Sequence, residues 1–256
     1  MSSLASLGLV AAVTTAACLV GWLVDSSGQQ LYGMPLLMAL ALVAFVIQWL
    51  AFIPAYLRQT EHFYDLTGSL TYAAIILLAL WAGEGHSRAL LLGLLVLVWC
   101  ARLGSFLFRR VRRDGKDGRF DDIKPDWRRF LVAWTLQGLW VFITLLAALI
   151  AMTDGSPAEL DAWAIAGAAI WLCGFVIEAV ADAQKSAFKA DPQNQGRFIQ
   201  SGLWAWSRHP NYFGEILLWV GVCIIAIPSF GGWQWLGLVS PLFVTWLITQ
   251  VSGIPM

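Results

Sequence analysis

The chain has 256 residues, of which 59% are hydrophobic and only 12% are charged, and it contains 15 tryptophans. A mean hydropathy of +0.70 excludes an ordinary soluble globular domain and predicts a membrane protein. The formal net charge is zero, so the charge balance gives no reason to expect nucleic acid as a partner.

Taken in chain order, eight apolar runs are long enough to cross a bilayer, which takes about 20 residues of helix. They lie at residues 4–24, 35–57, 67–83, 88–108, 129–152, 160–181, 212–228 and 232–252. The third run is short and the seventh carries Glu215 near its start, so either could be tilted, broken or re-entrant. The sequence therefore predicts an all-α polytopic transmembrane bundle of seven or eight spanning helices, built as one domain over residues 1–256.

The charges of the loops predict the orientation, because lysine and arginine concentrate on the cytoplasmic side of membrane proteins. Residues 109–129 hold nine lysines or arginines and five aspartates, whereas residues 153–161 carry only acidic charge. The first loop is therefore predicted to be cytoplasmic and the second external. Counting helices from there places both chain ends, the turn at 58–66 and the loop at 182–210 on the cytoplasmic side.

Cysteine usage indicates neither a disulfide framework nor a metal site, because each cysteine stands alone inside an apolar run. The four cysteines are Cys18, Cys100, Cys173 and Cys223. We expect them to be small residues that face lipid or the protein core.

Ionisable side chains inside membrane helices are the main candidates for function. Each costs about 2.5–3.5 kcal/mol at the centre of a helix and usually faces a cavity or a partner. Arg102 lies within the fourth run, and Glu178 and Asp182 share a helix face at the end of the sixth, which Lys185 and Lys189 continue. Such a stripe fits a ligand with hydroxyl and anionic groups, and it equally fits a solvated helix end with ordinary acid–base pairs.

A second cluster leads into the seventh run. Pro210 commonly opens a helix, and a helix start beside Arg208 and His209 favours an anion. Alternatively, these basic residues anchor the chain at the membrane surface, with Trp204 and Trp206 in an interfacial aromatic belt.

Glu215 does not fit the anchoring interpretation. It follows Asn211 by four residues and lies one turn into an apolar helix. A carboxylate in that position is better explained as a ligand contact or as a partner of Arg102 on another helix.

A third polar cluster is the turn at residues 58–69, which contains Tyr64 and Asp65. Asp65, followed by Thr67 and Ser69, could cap the third helix. Alternatively, Tyr64 or Asp65 polarises a substrate.

Several segments resemble one enzyme family. The runs EAVADAQKSAFK at 178–189 and RFIQSGLWAWSRHPNYFGEILLWVG at 197–221 resemble the C-terminal domain of the steroid 5-alpha-reductase family, and more closely a bacterial branch of it. DGKDGRFDDIK at 114–124 and FYDLTGSLTY at 63–72 also resemble that branch, so the likeness covers most of the chain.

The resemblance implies an NADPH-dependent membrane oxidoreductase that reduces the C=C bond of an enone-type lipid, steroid-like or other. Hydride goes to the beta carbon and a proton to the alpha carbon, while the lipid enters from the bilayer with its carbonyl polarised. It also implies a bacterial inner-membrane location and an active site that faces the cytoplasm, with the cofactor-binding part at about residues 102–256. The implied cofactor-binding residues are Arg102, Glu178, Asp182, Lys189, Arg208, His209, Asn211, Tyr212 and Glu215.

The chain departs from the family at several of these positions. Asp182 and Asn211 match family residues, whereas Glu178 and Lys189 replace an asparagine and an arginine.

The catalytic positions also differ. The family's Gln–Glu pair falls on Tyr64 and Asp65, which are therefore the catalytic candidates. Its tyrosine proton donor falls on Trp99, which has no phenolic proton. Either Tyr64 takes over this role, or the substrate is not a steroid.

Other functions share part of this pattern. A methyltransferase of the isoprenylcysteine or phospholipid type, which uses S-adenosylmethionine, also has Arg-His-Pro-x-Tyr before a late membrane helix, as at residues 208–212. A transporter or lipid-binding protein would be expected to show paired broken helices or an internal repeat. NADH remains an alternative to NADPH, whose extra phosphate Arg102, Lys189 and Arg208 could bind.

Overall fold

A computed structural model describes residues 3–114, 118–155 and 159–251. The α-helices in these ranges are α1 Ser3–Val24, α2 Leu36–Leu57, α3 Tyr64–Ala82, α4 Ser87–Asp114, α5 Trp127–Met152, α6 Ala162–Ala190, α7 Pro210–Ala226 and α8 Val239–Trp246. A small antiparallel hairpin pairs β1 Gln30–Leu31 with β2 Met34–Pro35. Short 3-10 segments occur at Gly118–Phe120, Pro192–Asn194, Gly202–Ala205, Ile227–Ser229 and Gly232–Leu238, and a π-helical turn at Leu247–Val251.

Helices α1 to α7 are each long and apolar enough to cross a membrane. The predicted all-α polytopic bundle is therefore confirmed, and the chain is a multi-pass integral membrane protein. The last predicted run, 232–252, is not one regular α-helix within the described residues. From Gly232 onward, the run divides into a 3-10 segment, the eight-residue α8 and a π-helical turn. Gly232 itself has a φ of +54°, which is outside the right-handed helical region.

Helix α6 is longer than the apolar run that predicts it. The run ends at residue 181, but the helix continues to Ala190. Glu178, Asp182, Lys185 and Lys189 therefore lie on one continuous helix, as their spacing predicts.

The central element of the bundle is α5. Every side chain from Val141 to Met152 is buried, and α1, α2, α3, α4, α7 and α8 all pack against this helix. In contrast, α6 lies at the periphery and is attached to the rest mainly through α7. The position of the acidic residues on α6 thus depends on the α6–α7 interface.

The loops separate into two ends, as the charge distribution predicts. At one end, which we call the basic end, Lys124 Nζ lies 2.5 Å from Glu61 Oε2 and joins the turn after α2 to the loop before α5. At the other end, Gln234 Nε2 donates to the Val24 carbonyl at 3.0 Å and joins the end of α1 to the segment after α7. The turn at 58–66 and the loop before α5, which were predicted to share a side, therefore do so.

A buried arginine holds this opposite end together. The Arg88 guanidinium at the start of α4 donates to the carbonyls of Ile225 at 2.5 Å and Glu159 at 2.6 Å, and it lies 3.1 Å from Asp161 Oδ1. The Ile225 carbonyl belongs to the last turn of α7, whose terminal carbonyls lack partners within the helix. Arg88 therefore connects α4, α7 and the loop before α6.

Replacing Arg88 with methionine is expected to reduce the stability of the protein by about 2 kcal/mol, because charged hydrogen bonds to two backbone carbonyls, of which that of Ile225 is buried, are lost. The thermal midpoint of the detergent-purified protein measures this loss. Arg58→Met is the matched control, since Arg58 is exposed and should tolerate the change. Equal midpoints for the two variants would contradict the structural role of Arg88.

Candidate functional site

The basic end contains an ion cluster centred on Arg102 of α4. Its Nη2 pairs with Glu178 Oε1, and its Nη1 lies 2.9 Å from Asp182 Oδ2. Glu178 and Asp182 are buried, and the Arg102 side chain is 19% exposed. The two acids lie on the same face of α6, one turn apart, as their spacing predicts.

Glu215 of α7 faces the same cluster. Its carboxylate is close enough for its charge to interact with Arg102, Asp182 and Glu178. The sequence therefore correctly indicated Glu215 as a neighbour of Arg102. Three carboxylates and one guanidinium from three different helices meet here.

Glycines allow α6 and α7 to approach closely enough to form this cluster. A Cβ atom on Gly174 would lie 2.5 Å from the Leu218 nitrogen and 2.6 Å from the Gly214 oxygen. A Cβ atom on Gly214 would lie 2.6 Å from the Glu178 nitrogen. Because these neighbours are backbone atoms, only glycine fits, and the contact places Glu178 directly against α7.

A second glycine pair repeats this contact one heptad away. Cβ atoms on Gly167 or Gly221 would lie 2.6 Å from the carbonyl oxygen of the other residue. Close packing of small residues is a recurrent basis of helix association in membranes. The seven-residue spacing of glycines in both helices is the sequence signal for this seam, which the sequence analysis missed.

The segment before α7 docks on α6. The Leu203 nitrogen donates to Gln184 Oε1, and Trp204 Nε1 donates to the Ala181 carbonyl, both at 3.0 Å. Trp204 is therefore buried, and its assignment to an interfacial belt is wrong. Trp206, in contrast, is 93% exposed, as the belt interpretation expects.

The predicted helix start at Pro210 is confirmed, with His209 at the N-cap position. The His209 ring stacks on Tyr212 with centroids 4.9 Å apart. Burial and the positive charges of Lys185 and Arg208 lower the pKa of His209, so its imidazole is neutral near pH 7. Arg208 itself is exposed. The side chains of Lys185, Arg208 and His209 lie near one another at the start of α7.

A cleft of about 480 Å³ opens beside the ion cluster. Arg102, Phe106, Arg109, Asp182 and Ser186 line it. Guanidinium groups suit phosphates, whereas the carboxylate and the hydroxyl suit the hydroxyls of a ribose. The chemistry of this lining fits a nucleotide.

Unpartnered polar atoms around the cluster give a second indication of a ligand. Among the described residues, Glu178 Oε2, Asn211 Oδ1 and Arg102 Nε are buried without a hydrogen bond, although such atoms ordinarily have one. Both terminal nitrogens of Arg102 already bind carboxylates. A phosphate at Arg102 would therefore use Nε or displace a carboxylate.

Lys189 lies farther out than the other predicted residues. It is exposed near the end of α6, about two turns beyond Asp182, or roughly 10 Å along the helix axis. It could meet a distal phosphate of a long ligand.

Tyr64 and Asp65 occupy the first turn of α3, and the Tyr64 side chain faces α5. The Tyr64 hydroxyl donates to the Ala133 carbonyl at 2.9 Å, and its ring packs against Phe120 and Trp134. Asp65 is not the helix cap, because Phe63 occupies that position. An acidic residue in a first turn interacts favourably with the helix dipole.

Three aromatic residues pack together deeper in the bundle, and the sequence analysis singled out only one of them, Trp99. Tyr72 of α3, Trp99 of α4 and Trp219 of α7 pack against one another, with the Trp99 centroid 5.1 Å from Tyr72 and 5.0 Å from Trp219. The Trp99 indole nitrogen faces Glu178. Trp99 therefore connects the ion cluster to the bundle interior.

Comparison with known proteins gives a family and one curated relative. A family model described as "Protein of unknown function (DUF1295)" matches residues 51–256. The "Uncharacterized protein C594.04c" of Schizosaccharomyces pombe (strain 972 / ATCC 24843) is 29% identical over 198 residues, covering 63% of this chain and 58% of that protein. The chain thus spans less than two thirds of that relative's length. No solved structure matches the chain.

Proposed function

The chain belongs to the DUF1295 family, and we propose that it is a membrane-embedded NADPH-dependent reductase of a C=C bond in an enone-type lipid. The DUF1295 family is associated with steroid 5-alpha-reductase-like membrane proteins, which supports the resemblance on which this proposal is based. The proposed reaction takes NADPH from the cytoplasmic side, which we assign to the basic end.

The observation that carries the proposal is the ion cluster at the edge of a cleft. Arg102 is held by Glu178 and Asp182, and the cleft beside it also exposes Arg109 and Ser186. A dinucleotide needs cationic donors for its phosphates and acceptors for its ribose hydroxyls, and this cleft offers both. Each group comes from a spanning helix, so a bound cofactor would reach the depth of the bilayer where a lipid enters.

The roles of the predicted cofactor residues follow from their positions. Asp182 would accept hydrogen bonds from ribose hydroxyls, and Asn211, with its buried amide oxygen unsatisfied, would accept one from an amide of the cofactor. Arg109 and the exposed Arg208 would attract the phosphates. NADPH supplies a hydride when bound, and the protein contributes orientation and exclusion of water.

One observation favours the methyltransferase alternative. The three carboxyl groups of Glu178, Asp182 and Glu215 lie around a single guanidinium, that of Arg102. A site with more carboxyl groups than basic groups can accommodate a cation, and the sulfonium of S-adenosylmethionine is one. The two functions can be separated by the ligand that the purified protein binds.

The test is thermal stabilisation of the detergent-purified protein by NADPH, NADP, NADH and S-adenosylmethionine, measured in parallel. A ligand that binds only the folded state at 100 times its Kd stabilises that state by about 2.7 kcal/mol. We expect NADPH and NADP to raise the thermal midpoint. A rise with S-adenosylmethionine alone would establish methyl transfer as the better proposal.

Asn211→Ala is expected to weaken NADPH binding about tenfold, because a hydrogen bond of about 1.4 kcal/mol to the buried amide oxygen is lost. Asp182→Ala should weaken it as well, through the loss of the ribose acceptor. The Kd from titration calorimetry or from the stabilisation curve measures both. Asn194→Ala is the matched control, since the Asn194 side chain lies away from the cleft and donates to the Phe188 carbonyl. Unchanged affinity in both site variants would refute the cofactor assignment.

A further inference from the structure

The hydroxyl of Tyr72 is a polar group in the apolar centre of the bundle. Tyr72 is 6% exposed, and its oxygen makes no hydrogen bond of standard geometry with any described residue. Buried tyrosine hydroxyls usually find a partner, and leaving one unsatisfied is costly. A group kept at this cost in a membrane interior is a candidate for contact with a ligand.

The surroundings of this hydroxyl are also polar. The Thr144 hydroxyl and the Trp140 indole of α5 face it at hydrogen-bonding range, although the Thr144 hydroxyl likewise makes no hydrogen bond of standard geometry within the described chain. The rings of Trp99 and Trp219 enclose the tyrosine ring from α4 and α7. Four helices therefore converge on one small polar spot.

This spot adjoins the ion cluster. The indole nitrogen of Trp99 faces Glu178, whose Oε2 is unsatisfied, and the charge of Glu215 reaches Tyr72. A path of polar groups thus runs from Arg102 at the cleft to the Tyr72 hydroxyl. Tyr72 lies eight residues after Tyr64 on α3, or about 12 Å farther from the basic end along the helix axis.

We propose that the Tyr72 hydroxyl is the hydrogen-bond donor to the carbonyl oxygen of the lipid substrate. This inference rests on the proposed reductase function and adds the residue that polarises the substrate. Tyr64 is poorly placed for the role, because its hydroxyl already donates to the Ala133 carbonyl. Trp99, at the position of the family's tyrosine, supports the Tyr72 ring edge-on.

The reaction balances with Tyr72 in this role. One enone, one reduced nicotinamide cofactor and one proton yield one saturated ketone and one oxidised cofactor. As a C–H bond forms at the beta carbon, the electron pair of the C=C bond shifts towards the carbonyl oxygen. The Tyr72 hydroxyl stabilises the negative charge there, and the proton, which comes from water, then forms the C–H bond at the alpha carbon.

The test measures the hydrogen bonding of the substrate's carbonyl group directly. Cholestenone labelled with carbon-13 at its single carbonyl is bound to the detergent-purified protein, and its C=O stretch is read by infrared difference spectroscopy. In the wild-type protein, the stretch should move to lower wavenumber than in detergent alone. The shift should be lost in Tyr72→Phe and retained in Tyr64→Phe; a shift retained in Tyr72→Phe would overturn the assignment.

The thermal stability of the Tyr72→Phe protein shows whether the Tyr72 hydroxyl contacts a ligand or instead stabilises the fold. Because the substitution removes only an unsatisfied oxygen, the thermal midpoint without ligand should stay the same or rise. A structural hydroxyl would instead lower it, and a lowered midpoint would count against the proposal. Tyr32→Phe, at an exposed hairpin turn, controls for the substitution itself.

A further measurement distinguishes failure of this inference from failure of the proposed function. If NADPH stabilises both the wild-type protein and Tyr72→Phe equally and only the carbonyl shift is lost, the Tyr72 assignment holds. If NADPH stabilises both but the carbonyl shift is the same, only the Tyr72 assignment fails. If the wild-type protein binds neither NADPH nor cholestenone at saturating concentrations, both the function and the inference fail.

Discussion

Gly174→Ala is expected to destabilise the protein strongly. The new Cβ would lie 2.5 Å from the Leu218 nitrogen and 2.6 Å from the Gly214 oxygen. Overpacking a core costs about 1–3 kcal/mol when side chains can rearrange, and occasionally more. Here the obstacles are backbone atoms, so α6 must move away from α7, and we expect about 3 kcal/mol or more.

The same movement should disrupt the ion cluster. Gly214 is in backbone contact with Glu178, so separation of the helices draws Glu178 away from its neighbours on α7. We therefore expect Gly174→Ala to lose stabilisation by NADPH along with thermal stability. Both quantities come from thermal denaturation in detergent, with and without cofactor.

Gly8→Ala is the matched control for this substitution. Gly8 lies within α1, is exposed, and has no atom within 4 Å of an added Cβ. Alanine also has the higher helix propensity, so this variant should be as stable as the wild-type protein or more so. A Gly174→Ala protein as stable as the Gly8→Ala protein would show that the glycine seam does not limit the approach of α6 to α7.

Arg102→Met is expected to have the second large effect. The substitution leaves Glu178 and Asp182 buried without their cation, with Glu215 nearby. Removing one partner of a buried ion pair typically costs about 3–5 kcal/mol. Because the Arg102 side chain is 19% exposed, water reaches part of the site, and we expect a loss near the lower end of that range.

Two further variants isolate the cause of this loss. Arg109→Met removes an exposed arginine from the same helix and should leave the thermal midpoint unchanged, although it can weaken binding of an anionic ligand in the cleft. Arg102→Lys keeps the charge but cannot present two parallel donors to two carboxylates. It should recover only part of the stability, and full recovery would mean that charge alone holds the cluster.

The candidate site was predictable from the sequence where a local rule applied. Glu178 and Asp182 share a face because residues four apart lie together on a helix, and Pro210 begins α7 because proline suits the first helical position. Glu215 stood out because a carboxylate is costly inside a membrane helix. Each of these inferences needs only one helix at a time.

The rest of the site depends on which helices meet. Tyr64 and Tyr72 both occur in α3, and the sequence offers no reason to prefer the second. Only the packing shows that the Tyr64 hydroxyl is bonded to Ala133, whereas the Tyr72 hydroxyl, between α4, α5 and α7, makes no hydrogen bond of standard geometry with a described residue. The close contact between Gly174 of α6 and Gly214 of α7 likewise can be recognised only once the pairing of these two helices is known.

The sequence by itself determined that this is a multi-pass helical membrane protein of seven or eight spans, approximately where those spans lie, and that the turn at 58–66 shares an end with the loop before α5. Bilayer thickness and the cost of burying charge impose those features on each segment separately. The tertiary structure alone decided that α5 is central, that α6 is held through α7, and which polar groups meet at Arg102. Lipid tails are as apolar as a leucine side chain, so hydropathy identifies a spanning helix but cannot distinguish the face that meets lipid from the face that meets protein.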